Sequence, residues 1–177
     1  MRPTGVILNG PTKEDGKRIL MFGGNQDRSS QCYSMNNKKW SLSPKLPLGH
    51  NITTNIVVNF NEKACFTFII DAQLTIKSAV LDLEACIWTD QGTENTSEMD
   101  WAMQWSFDDH KIDRLHLKTA VQVGKDLIAV VGRGKPEDVR QQIIGIILFF
   151  KPTKGEDGKW KIQHVKTQKV HASVFPR

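Results

Sequence analysis

A motif recurs at regular spacing in this chain. Its first copy is an apolar run that ends in Gly23 and Gly24 and is followed by Tyr33 and Trp40. A second apolar run leads to Trp88, and the two copies align from their apolar runs to Trp40 and Trp88 with no gap in the register. Repeats of roughly 20–50 residues are the sequence signature of architectures in which one supersecondary unit stacks on the next. The repeat therefore restricts the chain to a few fold classes.

A third copy is less regular than the first two. Its apolar run, Leu127–Val131, leads to Gly132 and, further on, to Trp160. The interval from Trp88 to Trp160 is half as long again as that from Trp40 to Trp88, and the extra residues fall at about 91–114. We interpret them as an insertion between two repeat units.

Short β-branched and aromatic runs separated by turn residues extend through the chain, whereas helical periodicity is hard to find. This pattern predicts an all-β protein. The longest apolar run, Ile143–Phe150, is far shorter than the roughly 20 residues that a membrane helix needs. Many short strands predict a sandwich, barrel or propeller, and the repeat favours the propeller.

The motif resembles the kelch repeat, in which an apolar run, a Gly-Gly pair, a spaced Tyr and a Trp mark one blade of a β-propeller. The resemblance covers roughly residues 3–165. It implies about three four-stranded antiparallel blades, which form an incomplete ring because propellers usually have about four to eight. The expected divisions are blade 1 at 1–49, blade 2 at 50–90, the insertion at 91–114, blade 3 at 115–165, and a further blade or C-terminal tail from 166 to 177.

The resemblance also implies structural roles for the repeated residues. The glycines would allow positive φ and close backbone approach near a central channel, and the Tyr and Trp rings would fill the wedge between blades. The residues concerned are Gly23, Gly24, Tyr33, Trp40, Trp88, Gly132 and Trp160. Ring closure would then need further blades, supplied by a longer parent chain, by a second subunit or by copies of this chain.

The charge is divided unevenly along the chain. Residues 1–113 carry 11 Lys or Arg against 14 Asp or Glu, whereas residues 114–177 carry 13 against 5. The lysines of the basic third alternate with apolar residues as they do on a solvated strand face. An acidic partner and a nucleic-acid backbone are the alternative explanations.

The insertion is acidic and aromatic, and it contains Trp101 and Trp105 with Met99 and Met103 interleaved. The spacing of the two tryptophans, one helical turn apart, predicts a short helix with one apolar face. Such a helix would either cover the open edge of a blade or dock a protein partner.

Basic residues are also expected in the loops on one face of the blades. They are Arg28, Arg133, Lys135 and Arg140. Arginine contacts carboxylates through two parallel hydrogen bonds, so these residues are candidates for binding acidic groups on a partner. Pairing with the acidic residues of the insertion is the competing interpretation.

No enzymatic motif is recognisable, and the five histidines lack a metal-ligand spacing except for His164 and His171, each of which is better explained as a lone strand or surface histidine. We therefore expect no cofactor and no metal site. The three cysteines, Cys32, Cys65 and Cys86, are expected to pack as small apolar side chains. The first residues lack the apolar region of a signal peptide, which predicts a cytoplasmic setting.

These features predict a non-catalytic protein–protein interaction module, acting as a scaffold or adaptor segment. Two alternatives remain open at this point. The chain could be a structural subunit of a larger protein or ribonucleoprotein assembly, or part of a propeller enzyme whose active site lies in other blades.

Overall fold

The computed structural model describes residues 4–9, 16–22, 30–47, 52–71, 74–89, 92–94, 98–106, 112–136 and 143–170. Within these ranges the chain forms strands and turns without a helix, so the predicted all-β class is confirmed. It follows that no described segment is a helix able to cross a membrane. Gly23, Gly24, Arg28 and Arg140 lie outside the described residues.

The strands are numbered in chain order. They are β1 (Thr4–Asn9), β2 (Lys17–Phe22), β3 (Ser30–Ser34), β4 (Lys39–Ser43), β5 (Ile52–Phe60), β6 (Ala64–Asp71), β7 (Thr75–Asp82), β8 (Trp88–Thr89), β9 (Gly92–Thr93), β10 (Asp100–Ser106), β11 (Ile112–Val123), β12 (Leu127–Pro136), β13 (Ile144–Lys154) and β14 (Trp160–Val170).

Three of the sheets have four antiparallel strands each. The first sheet has the order β1-β2-β3-β4, the second β5-β6-β7-β10, and the third β11-β12-β13-β14. Strands β8 and β9 form a small hairpin beside β4. Each of these sheets is open, and three such sheets are consistent with the blades of an incomplete propeller.

The three sheets stack face to face, with the second sheet in the middle. Every residue of β6, and every residue of β7 except its last, is buried, because neighbouring sheets cover both faces of these strands. Such strands carry nearly continuous apolar runs in place of the alternation seen when one face is solvated. This explains the largely apolar run Cys65–Ile70 in the sequence.

Two separate hydrophobic cores result from this stacking. The core between the first and second sheets includes Leu8, Leu20, Phe22, Cys32, Val57, Cys65, Ile69 and Leu81. The core between the second and third sheets includes Ile56, Phe60, Phe66, Phe68, Ile128, Val130, Leu148, Phe150 and Trp160. In the second core, the Trp160 ring makes edge-to-face contacts with Phe60 and Phe66, at centroid distances of 6.1 and 5.9 Å.

Hydrogen bonds between two hairpin turns join the second and third sheets at one end. Asn61 has a φ of 52°, a conformation that asparagine tolerates better than most residues. Its backbone N–H donates to Gln122 Oε1 at 2.9 Å, and Gln122 Nε2 donates to Asn61 Oδ1 at 2.6 Å. Asn61 Nδ2 also donates to the carbonyl of Lys125 at 2.8 Å. The two turns are therefore held in a defined register.

The prediction of a short helix that contains Trp101 and Trp105 is wrong. Residues 100–106 form β10, the fourth strand of the second sheet, which pairs with β7. The register shifts between Trp101 and Met103, so that Trp101 pairs with Ala79 whereas Trp105 pairs with Ile76. Because successive residues of a strand point to opposite faces, this bulge puts the two tryptophans on opposite faces of the sheet. A helix would have placed them together.

The prediction that Trp40 is buried between blades is also wrong within the part of the chain that the structure describes. Its side chain is 54% exposed, because no described element packs on the face of the first sheet to which it belongs. The ring contacts Tyr33 at a centroid distance of 5.0 Å. Trp160, by contrast, is 9% exposed. The equivalent tryptophans of the repeat thus have different environments at the two ends of the stack.

Gly132 does not have the positive φ expected of it. It lies within β12, paired with Leu117 and Ile146. A Cβ atom there would lie 3.1 Å from the carbonyl oxygen of His116 and 3.1 Å from Leu115 Cδ1. Of the two roles expected of this glycine, the contacts fit the close backbone approach, here toward β11.

Replacing the two tryptophans tests these environments. We expect Trp160→Ala to lower the free energy of unfolding by about 3–5 kcal/mol, since a buried ring is lost from the second core. Trp40→Ala is the matched control and should lower it by about 1 kcal/mol or less. Urea denaturation measures both values. Equal losses would show that Trp40 is buried by another chain or by residues outside the described ranges.

Candidate functional site

The cysteines are free and buried, as expected. Burial raises the pKa of all three thiols, that of Cys86 to about 11. Because the thiolate is the reactive form, these groups are weak nucleophiles at neutral pH. Among the described residues, no cluster of three or more His, Cys, Asp or Glu side chains has an arrangement that could hold a metal ion.

The first sheet presents an apolar outer face. Its inward positions enter the first core, and, beyond the exposed pair Asn9 and Lys17 at one end, its outward positions form two rows across the strands. One row is Ile7, Ile19, Tyr33 and Trp40, and the other is Gly5, Met21, Gln31 and Leu42. We call the residues of these two rows the first outer face. None of them is charged, and Ile7 and Leu42 are 58% and 69% exposed.

The third sheet also presents an outer face with an apolar centre. Cross-strand neighbours make up this centre, namely Val121, Ala129, Val131, Ile147 and Phe149. Basic side chains occupy further outward positions of the same sheet, namely Arg114, Arg133, Lys135, Lys151, Lys161 and Lys166. We call these apolar and basic residues together the third outer face. Val121 is half-exposed, and Val131, Ile147 and Phe149 are partly exposed.

The predicted site residues that the structure describes fall in different places. Arg133 and Lys135 lie in β12, not in a loop, and they are partly buried on the third outer face. Their cross-strand neighbours are His116 and Arg114. These two predicted residues are therefore brought together, whereas the tryptophans of β10 lie away from them on the second sheet.

Trp101 and Trp105 have different surroundings. Trp105 stacks on the ring of His164 at a centroid distance of 4.3 Å and so joins β10 to the third sheet. Trp101 remains 40% exposed, with Lys77 Nζ 5.9 Å from its ring centroid. The contact of Trp105 is therefore an internal one between two sheets. Because the two rings lie on opposite faces of the sheet, they do not form one docking surface, which was one of the two alternatives.

Trp88 of the repeat lies in the hairpin beside β4, where it is partly buried. The guanidinium carbon of Arg18 is 5.3 Å from its ring centroid, a distance at which a cation–π contact is stabilising. Tyr33 belongs to the first outer face and is also partly buried. Both rings contact groups of the first sheet.

The apolar residues of both outer faces, apart from Tyr33 and Trp40, were not among the residues singled out from the sequence. A usable signal was present, since Val6–Leu8, Ile19–Phe22 and Ile143–Phe150 are largely apolar at consecutive positions. A strand with one solvated face alternates between apolar and polar residues, whereas a strand covered on both faces does not. These runs predict that the terminal sheets of the stack have partners on their outer faces.

Not every basic residue of the third sheet faces outward. Lys154 Nζ lies 2.8 Å from Asp82 Oδ2 and 3.2 Å from Glu84 Oε2, so it connects the third sheet to the second. The hydrogen bond to Asp82 is the main reason that the pKa of Lys154 is raised. This lysine is committed to the internal structure and is not part of the third outer face.

A buried ion pair lies on the second sheet. Lys77 Nζ is 3.7 Å from Asp71 Oδ2, and the backbone N–H of Thr75 donates to Asp71 Oδ1 at 2.9 Å. Both charged side chains are buried. A charge that loses its partner in such a position remains desolvated, which makes removal of either group costly.

Comparison of the chain with models of known protein families finds no match, and comparison with curated protein sequences finds none.

Removing one member of the buried pair should destabilise the fold. We expect Lys77→Ala to lower the free energy of unfolding by about 3–5 kcal/mol, because the Asp71 carboxylate is left buried. Lys63→Ala is the control, since Lys63 and Glu84 form an exposed pair at 3.7 Å and their contribution should be below about 1 kcal/mol. Urea denaturation compares the two variants. A loss for Lys77→Ala no larger than that of the control would contradict a buried, coupled pair.

Proposed function

We propose that the chain is a non-catalytic protein–protein interaction module made of three consecutive kelch-type blades. Three successive four-stranded antiparallel sheets, stacked in chain order, support the blade interpretation. Strand β5 contacts both β1 and β11, so the first strands of successive sheets lie side by side, as they do around the axis of a propeller. The motif that recurs from Trp40 to Trp88 is the sequence-based support.

The observation that carries the binding function is the first outer face. Contiguous exposed apolar surface is rare on monomeric proteins and typically marks an interaction site. Here Ile7, Trp40 and Leu42 are exposed on adjoining rows that contain no charge. Tryptophan and tyrosine are also enriched among residues that dominate binding energies at protein interfaces. A protein partner is therefore the occupant that this surface suits best.

A bait comparison tests this function. Ile7→Lys with Leu42→Lys places two charges on the first outer face, and we expect this bait to lose proteins that the unchanged chain retains from a cell extract. The control is Ile87→Lys with Val165→Lys, which adds the same two charges at exposed positions outside both outer faces. Urea unfolding checks that each bait is folded. If all three baits retain the same proteins, the first outer face is not the binding surface.

A structural subunit of a larger assembly is the second candidate. The two outer faces at opposite ends of the stack favour it, because neighbouring sheets or subunits would bury both. Light scattering after gel filtration distinguishes the cases. A particle with twice the mass of one chain would indicate that two three-sheet stacks associate, whereas a monomer would direct attention to a different partner. The cytoplasmic setting stays a prediction.

A further inference from the structure

The third outer face has charges of one sign. Its basic residues come from all four strands of the sheet, whereas none of the outward strand positions with described side chains is acidic. Acidic residues do lie in the flanking turns. Among them, Asp126 and Asp157 are 4.0 Å from Lys151 and Lys161, and all four side chains are well exposed. Exposed pairs at this distance are strongly screened by water and salt, so the face remains basic.

The basic residues surround an apolar centre. One cross-strand row contains Val121, Ala129, Phe149 and Lys166, and the next contains Thr119, Val131, Ile147 and Gln168. Aliphatic and aromatic side chains thus adjoin cations at the ends of the strands and along β14. A polar rim around an apolar centre is the usual anatomy of a protein interface.

We propose that the third outer face binds an acidic segment of a protein partner. Apolar side chains of that segment contact Val131, Ile147 and Phe149, and its carboxylates contact the surrounding Lys and Arg side chains. This inference rests on the proposed interaction function and names its partner class. Charge complementarity carries it, since a basic rim favours an acidic partner and disfavours a basic one by like-charge repulsion.

The same charge argument disfavours a second copy of the chain. A second copy that extended the stack would place its first outer face against the third outer face. The first outer face contains no acidic residue that could pair with the cations. A single nucleic-acid strand is also a poorer match. Surfaces that bind single strands use several aromatic side chains as stacking platforms, and the apolar centre here has one aromatic residue, Phe149, among aliphatic ones.

The test measures peptide binding by fluorescence anisotropy with the full chain. The probe is a labelled peptide of about 12 residues in which Glu alternates with Val, long enough to cross four strands spaced about 4.8 Å apart. A matched peptide carries Gln in place of Glu, and a labelled oligouridine represents nucleic acid. We expect the Glu peptide to bind at least about tenfold more tightly than the Gln peptide, with an affinity that falls as salt rises.

Charge reversal locates the site. Lys135→Glu with Lys166→Glu should weaken binding of the Glu peptide by about tenfold or more, because Lys166 pairs with Phe149 of the apolar centre and Lys135 lies on the same face beyond Arg133. Lys17→Glu with Lys39→Glu makes the same change in net charge on the first sheet and should alter the affinity by less than about twofold. If the first double variant does not fold, Lys151→Glu with Lys161→Glu replaces it.

Four results would overturn the inference. They are equal affinity for the Glu and Gln peptides, equal effects of the two charge reversals, tighter binding of oligouridine than of the Glu peptide, and a dimer of the chain that dissociates when Phe149 is replaced by Glu. The last would show that a second copy covers the face.

The proposed function and this inference can fail separately. The Ile7→Lys, Leu42→Lys chain should bind the Glu peptide as the unchanged chain does, since the two outer faces lie at opposite ends of the stack. If the Glu peptide does not bind but the Ile7→Lys, Leu42→Lys bait still loses proteins that the unchanged chain retains, only the acidic-partner inference is overturned. Peptide binding without the bait difference would overturn only the role of the first outer face.

Discussion

Burial of the second sheet on both faces is the constraint on which the rest of the structure depends. Strands β6 and β7 separate two hydrophobic cores, and each core needs one neighbouring sheet to exclude water. Removing either neighbour would expose an entire apolar face of the second sheet. The first and third sheets are therefore required for its stability, while their own outer faces are left for other contacts.

Much of this architecture could be predicted from the sequence. The β-branched runs and turn residues predicted the strands, and the repeat that relates Trp40 to Trp88 predicted successive sheets of similar construction. The packing of the cysteines also followed from their apolar neighbours. The kelch identity of the sheets is a proposal, because it depends on motif residues of which Gly23 and Gly24 lie outside the described ranges.

Other features could not be predicted because several local patterns fit the same residues. The spacing of Trp101 and Trp105 suits one face of a helix, yet it suits a bulged strand equally well, and pairing with β7 decides between them. The exposure of Trp40 depends on whether another sheet covers it, which no local pattern specifies. Arg133 and Lys135 lie on a sheet face because β12 continues to Pro136. The sequence does not specify this length, since strand ends are the least certain part of a sequence-based prediction.

The route of the chain into β10 has a consequence for folding kinetics. Strands β5, β6 and β7 form a local meander, but the chain then pairs β8 with β9 beside β4 before β10 returns to β7. The backbone N–H of Met99, just before β10, donates to the carbonyl of Lys45 at 2.9 Å, which ties this return to the segment after β4. Pairings between residues distant in sequence form slowly, because loop closure costs entropy before any contact is gained. The second sheet should therefore acquire its last strand late, after the first sheet has formed beside it.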